Sequence, residues 1–400
     1  MKAPLFVFFK QVTVPFIIVL ILFSSEFGIV KQVSALGINY GQVANNLPSP
    51  EHVLRLLSSL HITKTRIYDT NPKVLSAFAN SSIELIVTVP NEAVAGLADP
   101  ARATDWISTN ISPFLPDTKI TGIAVGNEVF TCQDSVLMDN VVDAMMGLHQ
   151  GLVGLGLDSV IHVSTASSLA VLATSYPPSL GSFRPELAEL IGPLLRFLSV
   201  TGSPFWINAY PYFAYKDDPE RVPLDYVLFN SGSGMVDPNT GLKYDNMLYA
   251  QVDAVIFAIA RFGYEGIEVR VSETGWPSKG DDDEMGATVE NAMSYNRNLV
   301  ARQLENEGTP LRPRPRLEVY LFALFNENLK PGPTSERNYG LYQPDGSMAY
   351  NVGLSSATST ASVSDINSSA SWIQRDKSNC LWFCIISISL AFQISIRWPF

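Results

Sequence analysis

Cysteine and histidine are scarce in this chain of 400 residues, which has three cysteines (Cys132, Cys380, Cys384) and four histidines (His52, His61, His149, His162). Two of the cysteines lie in a terminal apolar segment, so the body of the chain keeps one thiol. That excludes a disulfide scaffold, and the scattered histidines offer no spacing suited to zinc. Charge is sparse as well, at 16% of residues, and acidic on balance, with a net charge of −11. Such a surface repels a phosphate backbone, and no run of Lys and Arg makes a local basic groove, which excludes nucleic acid as a partner. A Gly-rich phosphate loop in a strand-turn-helix setting is missing, as is a Gly-x-Ser-x-Gly elbow. No metal and no cofactor is expected.

What is abundant is apolar: 46% of residues are hydrophobic, ample for a packed core. The ends read as addresses. Lys2 and Lys10 precede an apolar stretch at 12–23 and then the small residues Val33-Ser34-Ala35, the order of a secretory signal over residues 1–35. Asn80-Ser81-Ser82, Asn110-Ile111-Ser112 and Asn367-Ser368-Ser369 are N-glycosylation sequons, in keeping with export. Residues 355–370 are rich in Ser, Thr and Ala and form a stalk that cannot bury enough surface to fold alone. Residues 371–400 then run through a polar spacer into an apolar tail, the pattern of a glycosylphosphatidylinositol (GPI) signal with Ser368 or Asn367 as attachment residue. A transmembrane helix fits less well, because the apolar run is short and holds Ser387, Ser389, Gln393 and Ser395. The expected location is the outer face of the plasma membrane, facing the cell wall and apoplast.

Between the ends, β-branched apolar runs alternate with amphipathic stretches, the pattern of parallel strands joined by helical crossovers. Eight runs are found, at 36–40, 64–68, 84–89, 120–126, 160–165, 205–209, 268–272 and 317–325. Helical patterns follow at 51–60, 72–78, 101–114, 136–155, 186–198, 247–262 and 285–305, and the last crossover is irregular, with a short helix expected near Met348. The fold class is α/β, a single (β/α)8 TIM barrel over residues 36–354. In that fold chemistry sits on loops at the C-terminal ends of the strands.

Three such ends carry glutamates: Glu327 follows the eighth strand, and two lie in longer segments, Val125-Gly126-Asn127-Glu128 on the fourth strand and Val271-Ser272-Glu273-Thr274-Gly275-Trp276-Pro277 on the seventh. A carboxylate ending an apolar strand needs a partner or a function. Two on facing strands are what glycosidic cleavage requires, one to protonate the leaving oxygen and one to attack the anomeric carbon or activate water.

Those segments, with Gly37-Ile38-Asn39-Tyr40-Gly41, Asn208-Ala209-Tyr210-Pro211-Tyr212-Phe213 and Phe325-Asn326-Glu327-Asn328, resemble glycoside hydrolase family 17, most of all its plant endo-β-1,3-glucosidases of the GPI-anchored type. The resemblance spans roughly residues 36 to 350 and implies a retaining enzyme acting on a polysaccharide, β-1,3-glucan, as a monomer. By position it implies Glu273 as nucleophile and Glu128 as acid/base, with Asn127 on the sugar 2-hydroxyl. Tyr210 and Tyr40 would hold the nucleophile and the sugar, Phe213 would offer a ring face, and Glu327 and Lys330 would act as an acidic and basic pair. Trp276 would shape the nucleophile loop or stack on sugar. Glucan transfer, and glucan binding without cleavage, remain as alternative functions of the same groove.

Overall fold

Alternate residues of each apolar run serve two cores, one inside a barrel and one beneath its helices. The structure, a computed structural model, describes residues 36–354 apart from Ser231 and Ser233. Strands β1 (Leu36–Tyr40), β2 (Lys64–Ile67), β3 (Glu84–Val89), β4 (Ile120–Asn127), β5 (His162–Ser168), β6 (Phe205–Asn208), β7 (Val269–Thr274) and β8 (Val319–Leu321) close in sequence order into a parallel barrel. Along β3, Leu85, Val87 and Val89 join the large cluster that packs against helices, while Ile86 joins Ala124, Ala166, Trp206 and Tyr320 in the barrel interior.

That interior is layered. Below the apolar layer, Lys64, Glu84, Arg270 and Glu318 form an ionic plug, with Lys64 in close contact with Glu318 and 3.6 Å from Glu84, and Arg270 3.3 Å from Glu318. Tyr320 fills the space beside Gly37, where a Cβ would lie 2.3 Å from its ring. Above the apolar layer come Asn39, Arg66, Asn208 and Ser272, all buried polar residues at the end where the crossover helices begin.

The helices are α1 (Pro50–Ser59), α2 (Pro72–Ala77), α3 (Asn91–Leu97), α4 (Pro100–Asn110), α5 (Ser135–Gly154), α6 (Ala188–Thr201), α7 (Pro211–Asp217), α8 (Leu224–Val227), α9 (Met247–Arg261) and α10 (Val289–Leu304). Several starts are set by side chains: Asn71, Asp99, Asp134, Asn246 and Thr288 each accept a backbone N–H of the first turn. α10 therefore begins after Thr288 and not at 285. α3, α7 and α8, of four to seven residues, were not anticipated. β5 lies later than the 160–165 run, and β8 is shorter than 317–325. The helix expected near Met348 is absent among the described residues. Residues 342 and 348 pair as an antiparallel bridge across a turn in which Gly346 has φ +85°, and the last crossover holds instead a 3-10 turn at Thr334–Arg337.

The secretory segment, the stalk, and the attachment candidates Asn367 and Ser368 lie outside the described residues. Of the remaining sequons, Asn80 is exposed at a left-handed position, φ +55°. Asn110 is half-buried, its Oδ1 accepting from Thr70 Oγ1 at 3.1 Å and its Nδ2 donating to Trp106 O at 3.0 Å.

Candidate active site

Strict alternation along β7 would place Arg270 and Ser272 inside the barrel and turn Glu273 away. The pairing breaks that alternation. Against β6 the register passes from Val271 opposite Ile207 to Glu273 opposite Asn208, and against β8 from Val271 opposite Val319 to Thr274 opposite Leu321. The extra residue forms a bulge that re-aims the side chain, and Glu273 enters the barrel mouth at 6% exposure.

β4 has its own irregularity, between Ala124 and Asn127 opposite β5. Gly126 takes φ +70°, where a Cβ would come within 2.4 Å of Val129, and Glu128 itself has φ +54°. A left-handed non-glycine residue costs roughly 1–2 kcal/mol, and such strain persists only where neighbours enforce it. Here Asn91 does so, its Oδ1 accepting from Asn127 N at 2.7 Å and its Nδ2 donating to Asn127 O at 3.2 Å, while Glu128 N donates to Ala166 O at 2.8 Å.

The two glutamates meet very different surroundings. Glu273 accepts three hydrogen bonds, from Arg66 Nη1 at 3.0 Å and Tyr68 Oη at 2.8 Å on Oε1, and from Tyr210 Oη at 2.8 Å on Oε2. Burial first, and then the charge of Glu273, push both phenols well above their ordinary range, so they stay protonated and donate. Glu128 accepts one bond, from Asn208 Nδ2 at 2.9 Å. Burial, followed by the charge of Glu273, raises its pKa, so this carboxyl keeps its proton to higher pH than an ordinary one. One chain of bonds joins the pair: Arg66 Nη2 donates to Asn127 Oδ1 at 2.8 Å, and Asn208 Nδ2, which binds Glu128, also reaches Asn127 Oδ1 at 3.5 Å, while Ser272 Oγ donates to Asn208 Oδ1 at 2.7 Å. Two carboxyls with opposed environments at one cleft can divide acid and nucleophile roles.

Of the expected binding residues, Tyr210 touches Glu273, and Phe213 is 39% exposed with Tyr210 and Tyr212 behind it at 5.4 and 5.5 Å between ring centroids. Tyr40 is not bonded to Glu273. It is buried, packs edge-on to Phe325 and has its pKa pushed up to about 12 by burial, followed by Asp69. Of the two roles open to Trp276, shaping the loop and stacking on sugar, its surroundings favour the first, because the ring is fully buried among Tyr212, Tyr215 and Tyr295 and donates from Nε1 to Gly286 O at 2.8 Å. It supports the loop after β7. Glu327 and Lys330 do not pair with each other. Glu327 is tucked where a Cβ on Gly41 would clash and accepts from Val43 N at 2.7 Å, whereas Lys330 pairs with Glu336 at 3.1 Å and sits 4.3 Å from the centre of the Phe322 ring. Burial raises the Glu327 pKa.

Three residues of the network were not singled out from sequence: Arg66, Tyr68 and Asn208. A signal was present for the first two, since Lys64, Arg66 and Tyr68 share one face of a strand by their even spacing, and a buried guanidinium needs an anion. Asn208 lies in a segment already marked but had no distinguishing chemistry.

Comparison with known proteins agrees with this geometry. A family model described as glycosyl hydrolases family 17 matches residues 36–354. Glucan endo-1,3-beta-glucosidases 11 and 14 of Arabidopsis thaliana are each 53% identical, over 323 and 320 residues, covering 80% of this chain and 76% and 82% of theirs. Among solved structures, CJP38, a beta-1,3-glucanase and pollen allergen of Cryptomeria japonica, is 43% identical with a TM-score of 0.77, covering 80% of this chain and 99% of that one. One of two plant beta-glucan endohydrolases with distinct substrate specificities is 37% identical with a TM-score of 0.73, covering 79% and 99%. On the extent of the family match and the identity of these relatives, this chain belongs to glycosyl hydrolase family 17.

Proposed function

We propose that the protein is a glucan endo-1,3-β-glucosidase that works by double displacement with retention of configuration. The observation that carries the reading is the contrast between the two glutamates: one stripped to a single hydrogen bond with a raised pKa, the other met by a guanidinium and two phenols. Glu128 gives its proton to the leaving glycosidic oxygen as Glu273 attacks the anomeric carbon, forming a glycosyl-enzyme. Glu128, now ionised, takes a proton from water, which attacks the same carbon and releases Glu273. Arg66 occupies Asn127 Oδ1, which leaves the Asn127 amide nitrogen to donate to a sugar 2-hydroxyl, and the exposed ring of Phe213 offers a pyranose an apolar surface. The β-1,3 linkage rests on the relatives named above.

Time-resolved product analysis on a defined β-1,3-gluco-oligosaccharide tests this. Shorter products with the β configuration at the newly formed end are expected. Products longer than the substrate would assign transfer instead, and no products would leave only binding.

The pH dependence follows from the same contrast. kcat/KM should be bell-shaped, the acid limb reporting protonation of the nucleophile and the alkaline limb loss of the Glu128 proton. Because the Glu128 pKa is raised, the alkaline limb should lie above the ordinary carboxyl range of about pH 4. In Glu273→Gln the charge that contributes to the shift is gone, so the Glu128 titration, followed by NMR, should move down. An unchanged titration would dissociate the two groups.

The terminal sequences support display outside the plasma membrane on a GPI anchor, and no helix of the described residues is long and apolar enough to cross a membrane. A phosphatidylinositol-specific phospholipase should release the protein from intact cells. Peptides from residues 381–400 in the mature protein would overturn the anchor.

A further inference from the structure

We propose that Asn39 is a positioning residue for the nucleophile: it holds the bulge in β7 that turns Glu273 into the cleft. The inference rests on the reading of Glu273 given above. Ser272 has no register partner on either neighbouring strand, because the pairing passes from Val271 to Glu273 on one side and from Val271 to Thr274 on the other. Ala209 N accordingly donates to Glu273 O at 2.9 Å, one residue beyond Ser272. The Ser272 carbonyl, passed over by the ladder and buried, needs a donor from elsewhere. Asn39 supplies it. Its Nδ2 donates to Ser272 O at 3.1 Å and lies 3.5 Å from Tyr320 O, reaching over β8 across a separation of 233 residues.

Three features fit a positioning role better than simple packing. Asn39 is fully buried, so its amide has no exchange with bulk water to satisfy it. It stands directly opposite Arg66 in the β1–β2 register, and Arg66 is the cation that grips Glu273 and Asn127. The residue whose carbonyl it holds also anchors, through Ser272 Oγ, the Asn208 amide that donates to Glu128. One side chain on β1 thus fixes the peptide from which both catalytic carboxyls take their bearing. A Leu at 39 would keep much of the volume and remove the donor. The freed carbonyl then has reason to swing toward a ladder partner, drawing Glu273 away from Tyr68 and Tyr210.

The test is kinetic and structural. Asn39→Leu, and Asn39→Thr as the milder variant should the first fail to fold, should lower kcat on the order of 100-fold, the scale of an ångström misplacement, with KM within about twofold because binding groups are untouched. In the Glu273→Ala background with azide as external nucleophile, the same substitutions should cost far less, since the group that Asn39 holds most directly is absent and only the indirect link through Ser272 and Asn208 to Glu128 remains. Equal losses in both backgrounds would mean general distortion and overturn the proposal, as would wild-type kcat in the folded variants. Crystal structures of wild type and variant read the placement without reference to any substrate. Loss of at least one of the bonds from Arg66, Tyr68 and Tyr210 to Glu273 is expected, and retention of all three would overturn the role. A wild-type enzyme inactive on β-1,3-glucan would refute the proposed activity, and the structural comparison would still decide the part played by Asn39.

Discussion

Glu273→Ala should lower kcat on β-1,3-glucan by about 10⁵-fold, the scale seen when a covalent nucleophile is deleted from a site that otherwise still binds and polarises substrate. Azide should restore part of the turnover by entering the space the carboxylate leaves, attacking the anomeric carbon directly while Glu128 protonates the departing oxygen. That single displacement gives the α-glycosyl azide, inverted relative to substrate. Removing Glu273 also strands the buried Arg66 guanidinium, and breaking such a pair costs roughly 3–5 kcal/mol. Glu273→Gln, which keeps the shape and an acceptor oxygen, serves where the alanine variant is too unstable. Undiminished activity in either variant would overturn the assignment.

Glu128→Ala should behave differently in three respects. On glucan, whose leaving group is a poorly acidic sugar hydroxyl, the loss should be about 10³- to 10⁴-fold, at the upper end of what general acid–base catalysis contributes. On a dinitrophenyl β-laminaribioside, which departs without a proton, formation of the glycosyl-enzyme should be far less affected, so a burst of phenolate precedes slow turnover. Azide should then accelerate the second step, because as an anion it needs no base, and the product should be the β-glycosyl azide. Opposite anomers from the two variants would separate the roles of two chemically identical side chains. The same anomer from both would refute the division of labour proposed here. Loss of Glu128 also frees the Asn208 amide, a neutral group whose unmet hydrogen bond costs less than a stranded charge.

Much of this site was legible beforehand. Glu128, Asn127, Glu273 and Tyr210 stand at or just beyond the ends of apolar runs, and in a parallel barrel every such end faces the same rim. Arg66 and Tyr68 were legible in principle from their shared parity along residues 64–68, yet nothing local says that an arginine inside a strand faces an anion contributed more than two hundred residues away. Trp276 needed the structure in another way. Its position beside Glu273 left contact with sugar and support of the loop both open, and only the packing of Tyr212, Tyr215 and Tyr295 around it shows that the ring faces inward.

By itself the sequence determined the barrel and the placing of two glutamates at its rim, because hydrophobic period and strand-end position are local properties that survive any arrangement of neighbours. The direction in which those carboxyls point was decided by tertiary structure alone. Side-chain parity on a strand inverts with a slip of one residue, and a slip is a relation between strands. On β7 it arises because Glu273 pairs with Asn208, and a partner for the Ser272 carbonyl comes from Asn39 on the far side of β8. On β4 it is held by Asn91 and by the left-handed turn at Gly126 and Glu128. The separate fates of Glu327 and Lys330 have the same origin. Three residues apart in sequence, they are drawn to different partners, one to the Val43 amide beside a glycine that leaves room, the other to Glu336.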